Sequence, residues 1–275
     1  MTYCSAADIY AATKLSSTVV PEASVIAFIS AAERFVDLKT FTTYHAEEVS
    51  GLAESSDATS VTDDDAAWDV NAYANMYVWI YGGTGATQFR KILSNTADTL
   101  TVDTAWSTNP DNTSTYRIVY TASNPNVSEL IDGTGNSTLF LDNYPLLNVQ
   151  SLSITDINIT VSSLYTYERL GKIMLSKTSE VRYFYAYEPQ LVDLNFWYGV
   201  YPLPAEVKRF TIVQASLSTL AAQIGGTYAT PSTYTLPEVS LSIGQAYVNI
   251  RETFNSLLKE AQALEVILQK YMTIA

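Results

Sequence analysis

The sequence predicts an α+β protein: a helical bundle formed by the N- and C-terminal helices, carrying a large antiparallel β insertion, sandwich- or barrel-like, between them. Three observations point there. Near both ends, apolar residues recur at steps of three and four, the spacing that stacks side chains on one helix face. In between, short runs rich in aromatic and β-branched residues alternate with turn signals, as in antiparallel sheets. The return to helix is marked at Leu203-Pro204, since proline suits a first helical turn where its missing N–H has no partner to lose.

Taken in order, Ser5 is expected to cap a short helix reaching about Thr13, and Pro21-Glu22 starts a second helix to about Thr40. That second helix carries two stripes, Val25, Ile29, Ala32 and Val36 beside Phe28, Phe35 and Leu38. An apolar surface this wide implies contact on more than one side. Ser50 to Asp65 reads as a solvated acidic loop, or two short strands with turns, ending in Asp63, Asp64 and Asp65. These carboxylates lack the spaced pattern of a calcium loop, so no metal site is expected.

Strands are predicted over Tyr77–Tyr81, Gln88–Leu93, Thr99–Val102 and Tyr116–Tyr120, with Gly82-Gly83-Thr84-Gly85 as a hairpin turn. After Asn124-Pro125, strands are predicted over Thr138–Leu141, Val149–Ile154, Ser163–Tyr167, Lys172–Leu175, Arg182–Tyr187 and Val192–Trp197. The third helix runs to Gly225-Gly226 with Phe210, Val213, Leu217, Leu220 and Ile224 on its face. Val239–Gly244 and Ala246–Ile250 look extended. A last helix covers about Arg251 to Tyr271, its stripe formed by Phe254, Leu257, Ala261, Leu264, Leu268 and Tyr271. The divisions expected are 1–44, 45–123, 124–202 and 203–275: N-terminal helices, β module, second β segment and C-terminal helices.

The chain has 28 Asp and Glu against 15 Lys and Arg, a formal charge of −13, and no basic run. Nucleic-acid affinity rests on clustered cations, so this charge argues against a phosphate-binding surface. The single Cys4 forms no internal disulfide. No basic-then-apolar leader and no apolar run of membrane-spanning length is visible, so a soluble protein made in a cytoplasm is expected. Catalytic chemistry is scarce. His45 is the only histidine, which rules out a multi-histidine metal site, and no Gly-x-Ser-x-Gly elbow is present. No cofactor is expected, and no residue is nominated as catalytic. Trp79, Trp106 and Trp197, with 20 tyrosines, offer rings that stack on sugars, although aromatics in short strands more often form core or interface.

Several stretches carry a resemblance when read together. They are Ser5-Ala6-Ala7-Asp8-Ile9-Tyr10, the Pro21–Phe41 helix with Ala31-Ala32-Glu33, and Leu203-Pro204-Ala205-Glu206-Val207-Lys208 leading into Leu220-Ala221-Ala222. Ile243 to Ile250 plus the closing helix, and Ile131-Asp132-Gly133-Thr134-Gly135 through Leu139-Phe140-Leu141 to Pro145–Val149, complete the set. In these the chain resembles the head–tail connector (adaptor) family of tailed bacteriophages and related viruses. Gly83 to Ile92 through Trp106, Pro110-Asp111 and Ser114–Ile118 is similar to a small β module of phage structural proteins. The long β region departs from minimal connectors, which are mostly helical.

The resemblance implies a virion protein of the neck: a homo-oligomeric, twelve-fold ring beneath the portal protein. The ring would extend the channel for passing DNA without binding it specifically and meet a tail, stopper or terminator protein. On this reading Phe254, Leu264, Leu268, Tyr271, Met272 and Ile274 are the expected contacts to portal or ring neighbour. The rival expectation is a glycan-binding or virion-decorating (adhesion) module built on the β insertion.

Overall fold

Ser5 closes a capping box at the head of α1 (Ala6–Thr13): its hydroxyl accepts from the Asp8 amide, and the Asp8 carboxylate accepts from the Ser5 amide at 2.8 Å. The Ser5 amide and the Ser5 hydroxyl, which also donates to that carboxylate at 2.8 Å, hold the Asp8 carboxyl below its usual range. The computed structural model describes residues 2–186, 189–225 and 244–272. They divide into two compact units, Met1–Thr40 with Pro204–Ala275, and Phe41–Leu203.

The first unit is helical and joins both ends of the chain. Besides α1 it contains α2 (Glu22–Thr40), α3 (Ala205–Gly225) and α4 (Gly244–Met272). Helix α3 packs on each of the other three. Val207, Phe210, Ile212, Val213, Ala215 and Leu220 are buried on it, and so are Thr211, Ser216 and Thr219. A helix apolar on one stripe alone could not be covered so widely. The threonines make it possible, because Thr211 and Thr219 return their hydroxyl hydrogens to the carbonyls of Val207 and Ala215 at 2.9 and 2.8 Å. Ile9, Val25, Ile29 and Ala32 join Ile212 and Ala215 in the core, with Cys4 beneath them.

Helix α4 begins earlier than the sequence suggests. Ala246–Ile250, expected to be extended, is helical, because the three-and-four spacing runs back from Leu257 through Phe254 and Ile250 to Tyr247. The expected extended residues 239–243 lie outside the described residues.

Among its described residues the second unit contains three antiparallel sheets, and none of these is a closed barrel. The largest has seven strands, β1 (Ala46–Leu52), β2 (Ser55–Ser56), β3 (Ser60–Thr62), β4 (Tyr77–Gly82), β5 (Phe89–Asn95), β6 (Thr99–Val102) and β7 (Thr115–Tyr120). Their spatial order is β1-β7-β4-β5-β6-β3-β2. Gly83 and Gly85, both at positive φ, turn β4 into β5. At Gly83 a side chain would meet the Thr113 carbonyl, so glycine is required there.

The remaining strands are β8 (Asn126–Ile131), β9 (Thr138–Phe140), β10 (Leu146–Ile154), β11 (Ile157–Ile159), β12 (Leu164–Tyr167), β13 (Lys172–Leu175) and β14 (Val192–Tyr198). They form a four-stranded sheet β11-β10-β14-β8 and a three-stranded sheet β12-β13-β9. Both contribute to one core, where Leu139, Ile173 and Leu175 of the smaller sheet meet Val149, Leu152, Leu194 and Phe196 of the larger. A third cluster, Tyr77, Phe89, Val119 and Trp197, ties the seven-stranded sheet to β14. Phe89 lies between the rings of Trp79 and Trp197, with centroids at 5.1 and 5.0 Å.

The expected strand over Arg182–Tyr187 does not form across the described residues 182–186. Val181 and Phe184 instead plug the core. The Phe184 amide and carbonyl bond to the loop at Asn136 and Gly135, at 2.8 and 2.7 Å. Strand β8 carries no sequence-level prediction, yet it pairs with β14 along its whole length.

Candidate functional site

Both units expose large apolar side chains, and in the helical unit most of them lie on α2 and α4. Residues 38 and 266 lead: Leu38 on α2 is 66% exposed and Val266 on α4 is 64% exposed. Ile26 and Phe35 on α2, and Leu258 and Ile267 on α4, are also exposed. The register of α2 against α4 explains part of this surface. Lys39 forms an ion pair with Glu265, one residue along each helix from Leu38 and Val266. The Lys39 ammonium also stands 5.4 Å from the Phe35 ring centroid, and Phe35 stacks on the buried Phe210 of α3 at 6.4 Å. On the opposite flank of α4, Arg209 grips Glu260 through two bonds of 2.5 and 2.8 Å. The second stripe read on α2, Phe28, Phe35 and Leu38, therefore divides. Phe28 packs on the core, Phe35 lids Phe210, and Leu38 faces outward.

The contact residues expected on the last helix stand differently. Leu268 is fully buried, and Phe254 and Leu264 are half-buried, so this stripe serves the chain's own core. Leu258 and Val266, one and two residues out of phase with it, carry the exposure. Tyr271 and Met272 close α4 in the backbone, and Ile274 lies outside the described residues.

Charge is partitioned between the units. Residues 1–40 and 204–275 hold eight Lys and Arg against nine Asp and Glu, leaving seven against nineteen for 41–203. The β unit thus carries −12 of the chain's −13, and the helical unit is nearly neutral.

Of the two readings of Ser50 to Asp65, two short strands with turns is the one that forms, as β2 and β3, and the acidic triplet at its end is only partly solvated. Asp64 and Asp65 are exposed, but Asp63 is 8% exposed. Its carboxylate accepts from the Tyr116 hydroxyl and from the Asp65 amide. Among the described residues no group of three His, Cys, Asp or Glu is arranged to hold a metal ion.

His45 is also interior. Its Nε2 lies 3.2 Å from the Tyr198 carbonyl, and burial pushes its pKa down to about 4. Trp106 and Trp197 are buried and Trp79 is half-buried. The more exposed rings beside Trp79 are occupied by the chain itself. The Arg117 guanidinium lies 4.0 Å from the Tyr81 centroid and 4.6 Å from that of Tyr201, and Glu47 pairs with it at 3.3 Å. No helix among the described residues is long and apolar enough to cross a membrane.

No known protein-family model matches the chain, and no curated protein does.

Proposed function

We propose that this chain is a head–tail connector subunit of a tailed virus: a structural virion protein that forms a ring under the portal, extends the DNA channel and docks the tail or stopper. The observation that carries the reading is the helical unit itself. Both termini, separated in sequence by the whole β region, meet on α3, and after this packing α2 and α4 still expose large apolar side chains. Exposed apolar side chains gathered on paired helices mark an association surface. The near-neutrality of the unit lets copies approach without mutual repulsion, while the acidic β unit has no affinity for phosphate. This division suits a ring that lets DNA pass without holding it.

The test is the mass of the purified chain by light scattering over a range of concentrations, alone and with portal particles, followed by negative-stain imaging. A ring, or a chain that decorates the portal, is the expected result. A strict monomer that also ignores portal particles would sink the reading.

A further inference from the structure

The three-stranded sheet presents an aromatic outer face to solvent. Residues directly opposite each other in paired strands share a face, so the register places Tyr167, Lys172 and Phe140 in one row. Tyr165, Met174 and Thr138 form the next row. The reverse face, with Leu139, Ile173 and Leu175, lies in the core. On the outer face Tyr165 is 61%, Tyr167 47% and Phe140 64% exposed. Phe140 also borders a cavity of about 340 Å³ whose polar lining comes from Glu129, Asp132, Asp142 and Gln190.

We propose that this face and the adjoining cavity bind an uncharged saccharide chain. The ligand's chemistry follows from what the site offers. Ring faces are electron-rich and attract the weakly positive C–H faces of a sugar. The cavity supplies carboxylate acceptors, which call for a ligand with many O–H donors. A polyanion is disfavoured by those carboxylates and by the −12 carried by the unit. A cationic ligand is disfavoured at the rings by repulsion from the Lys172 ammonium, 4.9 Å from the Tyr167 centroid and 5.9 Å from that of Phe140, although the two residues remain 47% and 64% exposed. An apolar face, many hydroxyls and no net charge describe a neutral sugar. Burial, reinforced by the nearby Asp142 carboxylate, raises the Glu129 carboxyl above its usual range.

This site is independent of the connector reading, since it uses none of the helical unit. Titration calorimetry of the full chain with neutral hexasaccharides of glucose, galactose, mannose and N-acetylglucosamine tests it. Heparin fragments, oligothymidylate and an oligolysine peptide serve as competitors. One neutral series is expected to bind, with Phe140→Ala and Tyr167→Ala each weakening it by about tenfold or more. Tyr81→Ala, on the seven-stranded sheet and not on this face, is expected to leave binding unchanged. Glu129→Gln, read alongside, keeps the test alive should a ring variant unfold, and is expected to weaken binding as well. Absence of binding to every neutral series, preference for heparin, oligothymidylate or oligolysine, or affinity unchanged in the Phe140→Ala/Tyr167→Ala double variant would each overturn the proposal.

Discussion

Tyr116 donates its phenolic hydrogen to Asp63, and that bond takes into the β core a carboxylate from the most acidic stretch of the chain. Asp63 stays there because its other oxygen accepts from the Asp65 amide at 3.2 Å. Tyr116→Phe removes the donor and leaves the acceptor buried, which is expected to cost about 1–3 kcal/mol. The pH dependence has a definite sign. Burial, and then Asp63, raise the Tyr116 pKa above 10.0 in the folded state. Its contribution is therefore complete below pH 10 and is lost as pH climbs beyond that value. Urea unfolding between neutral pH and pH 11 checks both points. A wild type and a Tyr116→Phe variant with equal stability and parallel alkaline slopes would refute them.

Asp63 also shows where the sequence stops being legible. Three adjacent carboxylates look solvated, since a buried charge needs partners and Tyr116 is fifty-three residues away. Strand β1 was hidden by its own irregularity: the register shift between Glu47 and Val49 breaks the alternation that identifies a strand. Arg182–Ala186 misled in the opposite direction, because its aromatic content satisfies strand propensity while Val181 and Phe184 act as plugs. The four helices were readable because their spacing is local. The outward side of α4 was not. Whether Leu264 or Val266 faces solvent depends on where α3 lies, which periodicity alone does not state.

His45 gives a prediction at the acid end. Burial holds its imidazole neutral, with a pKa of about 4 against 6.5 for the exposed group. The unfolded chain takes up the proton first. Stability is thus complete above pH 6.5 and falls as pH drops from there towards 4, by about 3 kcal/mol over the whole interval. As the only histidine, its ring resonances are unambiguous by NMR. They are expected to stay unshifted at pH 5.5. His45→Gln is expected to flatten this arm of the stability curve. A midpoint near 6.5 in the folded protein would contradict the buried, neutral assignment.

Cys4 is expected to be inert while the helical unit is folded. Burial, and then the Glu33 and Asp8 carboxylates, push its thiol up to about 12, so thiolate at pH 8 amounts to about one part in ten thousand. Iodoacetamide labelling followed by mass spectrometry is expected to be negligible in native buffer and complete in denaturant. Equal labelling rates in the two would mean that residues 2–5 do not hold their place against α2.

Phe210 and Leu38 separate folding from assembly within one unit. Phe210 is fully buried under Phe35 on the central helix, so Phe210→Ala is expected to destabilise the chain by about 3–5 kcal/mol through lost contacts and an unfilled cavity. Leu38, mostly solvent-exposed, touches little of its own unit. Leu38→Glu is expected to change thermal stability of the monomer by no more than about 0.5 kcal/mol. If α2 and α4 form the association surface, the same change plants a charge in an apolar contact and lowers the assembled fraction. Thermal melts paired with light scattering on Leu38→Glu and Val266→Glu decide the matter. Variants that melt like the wild type yet fail to assemble place the interface on this face. Variants that assemble normally move it elsewhere, and with it the observation on which the connector proposal rests.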